Sequence, residues 1–150
     1  MGLEMKVKIK KVHEDAVMPT YATDGAACFD LYAAAIKDTI KDTINNTVIY
    51  DTGLQFEIPQ GAVMMIYSRS GHGFKKGIHL ANCVGVIDSD YRGNVMVKME
   101  STQTHTSGFP ACGERIAQAM IIPVQRNEFE FVDELSDTER ADGGFGSTGA

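Results

Sequence analysis

Apolar and polar residues alternate in several short segments of this chain at a period of two, the spacing of a half-buried β-strand. Met5 to Val12 reads MKVKIKKV, with Met5, Val7 and Ile9 on one face and lysines on a solvated one. Thr52 to Ile58 alternates through Leu54, Phe56 and Ile58, and Pro59-Gln60-Gly61 supplies a turn. Val63 to Tyr67 is a fully apolar strand, and Ile116 to Val124 is another that carries one polar side chain, Gln118. Glu128 to Val132 (EFEFV) alternates once more. Residues 19–35 are rich in small side chains, which predicts a tightly packed turn leading into a short strand. Residues 36–47 repeat Ile-Lys-Asp-Thr twice and read as a strand with a loop. Between Ser68 and Ile78 a basic, glycine-broken connection leaves room for one short helix.

The pattern is interrupted most tellingly at Gly85 to Val95. An apolar run enters Asp88-Ser89-Asp90-Tyr91-Arg92-Gly93 and resumes through Val95, Val97 and Met99. This predicts a β-hairpin with its reactive side chains at the turn. An acid at the end of a buried strand is held rigidly, as a general base must be. Short strands at regular spacing with scarcely any helix indicate an all-β barrel or sandwich.

At 150 residues the chain is expected to form one domain. A net charge of -6 argues against a general nucleic-acid or membrane-surface binder, since both need a basic face. It leaves open a small anionic ligand, which needs only a local positive cluster. No apolar run reaches the roughly 18 residues of a membrane span, and the first residues lack the apolar stretch of a signal peptide. The expected location is cytoplasmic. Cys28, Cys83 and Cys112 are odd in number and have no paired spacing, so neither disulfides nor a zinc site is expected. The polar, acidic segment from Asp133 to Arg140 and the glycine-rich end cannot form a core of their own. The expected organisation is a core over residues 1–133 and a flexible arm over 134–150.

Gly144-Phe145-Gly146-Ser147-Thr148-Gly149 fits the letters of a dinucleotide fingerprint. That fingerprint requires a preceding strand and a following helix, and here there is neither. Its physics still applies: glycines let backbone N–H groups converge on phosphate, the two hydroxyls add donors, and Phe145 offers a ring for stacking. Arg69-Ser70-Gly71 follows an apolar strand and offers a guanidinium fork matched to phosphate oxygens. Gln118, alone in an apolar strand, must hydrogen-bond either to protein or to ligand.

Taken in order, these segments resemble the trimeric deoxyuridine triphosphate nucleotidohydrolases (dUTPases). The first family motif resembles Ala26 to Leu31, and the second Arg69-Ser70-Gly71 with Lys75, Gly77 and Ile78. The third is Gly85 to Gly93, the fourth Gly113 to Gln118, and the fifth Arg140 with Gly143 to Gly149. Ser68 stands where the family usually has proline, His72-Gly73-Phe74 replaces a more apolar stretch, and Cys28 sits where glycine is common.

The resemblance implies a compact β-barrel of jelly-roll-like fold whose C-terminal arm closes an active site. It implies dUTP as substrate, hydrolysed to dUMP and pyrophosphate, with Asp88 as the base that activates water against the α-phosphorus. Tyr91 would exclude a ribose 2′-hydroxyl, while Asn82 with the backbone of Gly85, Val86 and Ile87 would read uracil, and Met96 would line the slot. Arg69, Ser70, Gly71 and Gln118 would hold phosphates. Arg140, Gly146, Ser147 and Thr148 would close over the γ-phosphate as Phe145 stacks on uracil. Mg²⁺ would be held by phosphates and waters with no direct protein ligand, and Asp30 would be at most an outer-shell partner. A homotrimer with shared sites is implied. Alternatives are a related dCTP deaminase and a regulatory protein-binding role on the same scaffold, with segments 36–47 and 102–112 as candidate surfaces.

Overall fold

A computed structural model of the protein describes residues 5–41, 46–101 and 108–144. In chain order the elements are β1 (Lys8–Lys11), β2 (Thr20–Tyr21), β3 (Phe29–Tyr32), β4 (Ala35–Lys41), β5 (Asn46–Asp51), β6 (Leu54–Glu57) and β7 (Ala62–Tyr67). The single described helix α1 (Ser70–Lys76) follows, then β8 (Ile78–Leu80), β9 (Val84–Ile87), β10 (Met96–Ser101) and β11 (Arg115–Pro123). Every strand pairing is antiparallel. A five-stranded sheet runs β2-β3-β11-β7-β9, a four-stranded sheet runs β4-β5-β10-β8, and β1 pairs with β6 alone.

The alternation seen in the sequence is what buries one face of each strand. Leu31, Met64, Ile66, Ile116 and Ala117 enter the core from the larger sheet, and Val48, Tyr50, Leu80, Val97 and Met99 from the smaller. The lysines of β1 stay exposed, Lys8 pairing with Glu57 across the β1–β6 ladder at 2.7 Å, while Val7 and Ile9 turn partly inward. The short helix forms where the sequence left room for one. It is closed by Gly77, whose φ of 62° is the left-handed cap conformation that glycine adopts without penalty. Lys75 and Lys76 lie in its last turn, where cations suit the carbonyl end.

Two expectations need correction. The arms of the expected hairpin do not pair with each other: β9 pairs with β7 in one sheet, and β10 with β5 and β8 in the other. Ladder partners are set by the whole sheet, and a chain that leaves one sheet at Ile87 and enters the other at Met96 looks locally like a hairpin. Glu128 to Val132 forms no strand, and Phe129 and Phe131 are 91% and 106% exposed. An alternating segment becomes a strand only where it finds an edge to pair with, and this chain supplies none to it. Beyond Pro123 the described chain is irregular and largely exposed. No described helix is long and apolar enough to cross a membrane, and all three cysteines are free thiols.

Candidate active site

The crossing between sheets opens a cleft. Its volume is about 430 Å³, and its walls include Leu80, Asn82, Gly85, Val86, Ile87 and Met96. The chain turns between β8 and β9 at Cys83, whose φ of 61° is uncommon outside glycine and carries a modest steric cost. That corner puts the exposed Asn82 at the cleft. Gly85 faces Ile66 across the β7–β9 ladder, where an added Cβ would come within 3.1 Å of the Ile66 Cβ. Glycine therefore keeps this wall thin. The cleft gathers five residues singled out in the sequence: Asn82, Gly85, Val86, Ile87 and Met96.

Asp88 is the first residue past β9 and is exposed; its carbonyl accepts the Tyr91 N–H at 3.2 Å. Tyr91 Oη donates to the Asn94 carbonyl at 3.1 Å, which lays the ring over Gly93. A Cβ on Gly93 would come within 2.6 Å of Tyr91 Cζ, so glycine is what the ring needs beneath it. Asn94 anchors the loop: its amide donates to Asp51 Oδ2 at 3.0 Å and its oxygen accepts from Gln55 Nε2 at 2.9 Å. Asp51 is 3% exposed. Burial pushes its carboxyl pKa up, but Asn94, the Gly53 N–H and the Lys37 ammonium together outweigh this and hold it below the usual aspartate value. Arg92 bonds to the carbonyls of Ser89 and Tyr91 within the loop and carries no contact to the cleft in the described bonds.

The second constellation lies at the far end of β7. Asp30, 8% exposed, takes Arg69 Nε on one carboxylate oxygen at 3.2 Å and Arg115 Nη1 on the other at 3.3 Å. Its two arginines answer the burial of its charge. Gln118 does find a protein partner: its amide donates to the Ser68 carbonyl at 3.0 Å, which leaves one further amide N–H for another acceptor. Ser68 Oγ in turn accepts the Leu80 N–H at 2.9 Å. A proline at that position would lack this hydroxyl, so the serine ties the Arg69 loop to β8. Ser70 and Gly71 are exposed at the start of α1. Arg115, Asn94 and Ser68 are site residues that sequence reasoning gave no role. Arg115, the cation that opens β11, and Ser68, a departure from the family pattern, left a visible signal; Asn94 left none.

The two constellations of one chain are apart. Met64 faces Ile87 in the ladder, so Asp88 sits at the level of Val63. Arg69 is six residues further along an extended chain, on the order of 20 Å away. Arg140 is described but exposed, with its Nε bonded to the Gly143 carbonyl at 2.9 Å. Phe145, Gly146, Ser147 and Thr148 lie outside the described residues. Among the described residues no group of three or more His, Cys, Asp or Glu could hold a metal ion. Each Asp30 oxygen is engaged by one guanidinium.

The fold recurs in solved structures of phage dUTPases. A Staphylococcus bacteriophage 80alpha dUTPase with dUPNHPP superposes with a TM-score of 0.81 at 25% identity, covering 97% of this chain and 99% of that one. Its description states that phage dUTPases control transfer of virulence genes by a proto-oncogenic G protein-like mechanism. A mutant dUTPase of the Staphylococcus aureus phage phi11, described with a structural Mg(II) ion, matches in fold at a TM-score of 0.72 and 21% identity, covering 89% of this chain and 100% of that one. The dUTPase family model matches residues 14–149. The deoxyuridine 5'-triphosphate nucleotidohydrolase of Nautilia profundicola is 48% identical over 145 residues, covering 97% of this chain and 99% of that protein. The protein of the same name from Shigella flexneri is 39% identical over 149 residues, covering 98% and 97%. The chain belongs to the dUTPase family.

Proposed function

We propose that the protein hydrolyses dUTP to dUMP and pyrophosphate in the cytoplasm, at a site divided between chains of a homotrimer. The carrying observation is the separation within one chain of Asp88, beside the cleft, from the Arg69 cluster. On one chain Asp88 and that cluster stand at opposite ends of β7, so a nucleotide bound beside Asp88 is met by a neighbour's cluster brought to that end of the cleft.

On this reading uracil enters the cleft with its polar edge toward Asn82 and the backbone of Gly85 to Ile87. Once the bound base covers those polar groups, a ligand that leaves them unpaired is rejected strongly. The Tyr91 ring, held down over Gly93, closes the space a 2′-hydroxyl would need. Asp88 accepts a proton from a water aimed at the α-phosphorus; a positioned base of this kind contributes about 10²–10⁴-fold. Arg69, Ser70, Gly71 and the remaining Gln118 N–H of a neighbouring chain hold the phosphate oxygens and stabilise charge on the leaving pyrophosphate. Mg²⁺ shared among phosphate oxygens and waters supplies further charge neutralisation. Asp30 orients Arg69 and Arg115, with any influence on that metal passing through water. Arg140 and the residues 145–148 beyond it close over the triphosphate from a third chain, excluding water.

The unpaired arm supports the trimer. Val7, Ile9, Phe29, Phe56 and Ile121 line an apolar hollow of about 550 Å³ beside β1, an edge strand whose exposed side chains are lysines. Glu128 to Val132 of another copy carries the matching pattern, phenylalanines on one face and glutamates on the other. Added to β1, it would bury the rings and set carboxylates against ammonium groups.

The reading is tested by pyrophosphate release compared across dUTP, dTTP, dCTP and UTP. Release from dUTP alone is expected; a separate assay of dCTP for uracil product distinguishes the deaminase alternative, and such product would turn the assignment to it. No observation on the described residues favours a regulatory partner, and much of the two surfaces considered for one lies outside them.

A further inference from the structure

His72 is the one buried residue of α1. It is 7% exposed, and its Nδ1, shut off from solvent, has no hydrogen-bond partner. The proposed mechanism gives it no task. An apolar side chain of the same size would fill this space without leaving a polar atom unsatisfied, as buried polar groups seldom are. His72 shares its turn with the phosphate loop: the N–H groups of His72 and Gly73 both donate to the Arg69 carbonyl at 3.1 Å. The charged groups near enough to influence it are Arg69 and Lys76 at either end of its own helix, with Glu114 and Arg115 at the start of β11.

We propose that His72 is a positioning residue of the phosphate loop, taking up a proton when a polyphosphate anion settles on Arg69 and Ser70. The proposal rests on the assignment of Arg69, Ser70 and Gly71 to phosphate binding. In the free protein burial, then the charges of Arg69 and Lys76, hold the imidazole pKa below the usual histidine value; Glu114 opposes them and Arg115 adds to them. A bound polyanion offsets those positive charges and attracts another, so the pKa rises on binding. Linkage fixes the sign: the added affinity is complete below the free-state pKa and is lost as pH rises through the bound-state pKa. A rise of about one unit corresponds to roughly tenfold tighter binding on the acid side. The imidazolium then places one more positive charge beneath the loop, and its unsatisfied nitrogen becomes a donor.

The test is an NMR titration of the His72 imidazole in the whole protein between pH 5 and 8, with and without the Mg²⁺ salt of α,β-imido-dUTP. A His72→Gln variant assigns the signal. The His72 pKa is expected to rise by about one unit on binding, and the pH dependence of Kd is expected to flatten in His72→Gln while affinity at pH 8 stays within about twofold. If Ser70 and Gly71 amide signals move with analogue but the His72 pKa does not, the inference falls and the phosphate loop stands. If the analogue binds without moving those amides, both fall. Should His72→Gln not fold, the wild-type titration still decides, with the signal assigned by through-bond correlation.

Discussion

Gly93 and Asn94 show how much of the catalytic loop is set by residues that touch no substrate. Asp88 and Tyr91 stand out in the sequence because an acid and an aromatic at the end of an apolar run are chemically conspicuous. The glycine beneath the Tyr91 ring and the amide that ties the loop to Asp51 do not stand out, because their work is done by contacts across the fold. Gly93→Ala is expected to displace Tyr91 and to weaken discrimination against UTP, read as a rise in the UTP-to-dUTP ratio of kcat/KM with thermal stability nearly unchanged. Asn94→Ala removes a hydrogen bond to a buried carboxylate and should cost about 1.5–3 kcal/mol of stability in a denaturant titration. Asp51 also fixes an acid limit. Its folded pKa is below its unfolded value, so its contribution is present above the usual aspartate range and is lost as pH falls through the lowered value. Chemical denaturation should therefore show stability declining below about pH 4, and less steeply in Asp51→Asn.

At the scale of elements, β1, β6 and β10 were legible from period-two alternation, β7 and β11 from continuous apolar runs, and α1 from a glycine-broken connection too short for anything longer, while the short β2 and β8 left no signal. The pairings were not. The stretch around Asp88 reads as a hairpin because nothing local distinguishes a turn within one sheet from a crossing between two. That difference makes the cleft, since two strands parting into separate sheets leave the gap that Asn82, Gly85 and Met96 line. Gln118 was rightly singled out as needing a partner, but its first partner is the Ser68 carbonyl, a contact made across the β7–β11 ladder. The Glu128 to Val132 segment carries a strand pattern with no edge in its own chain to satisfy it. Replacing Phe129 and Phe131 by serine is expected to shift a trimer toward monomer in sedimentation velocity at micromolar concentration. An unchanged sedimentation coefficient would separate that segment from assembly.

At the scale of the whole molecule, Asp88 and the Arg69 cluster of a single chain stand at opposite ends of β7, and the proposed site joins them across chains. A closed three-fold rotation brings unlike surfaces of identical chains together at every interface, which is how one sequence can supply both halves of a divided site. Asp88→Asn should lower kcat by about 10²–10⁴-fold while leaving analogue binding measurable. Arg69→Gln should weaken hold on the triphosphate with the fold intact, because Arg115 still pairs with Asp30. The most direct test mixes these two impaired chains by co-refolding. A divided site predicts that activity returns, to about a quarter of the wild-type level under random assembly of a closed trimer, since one pairing in four joins an intact Asp88 to an intact Arg69. A mixture no more active than its two components would contradict the division of the site between chains.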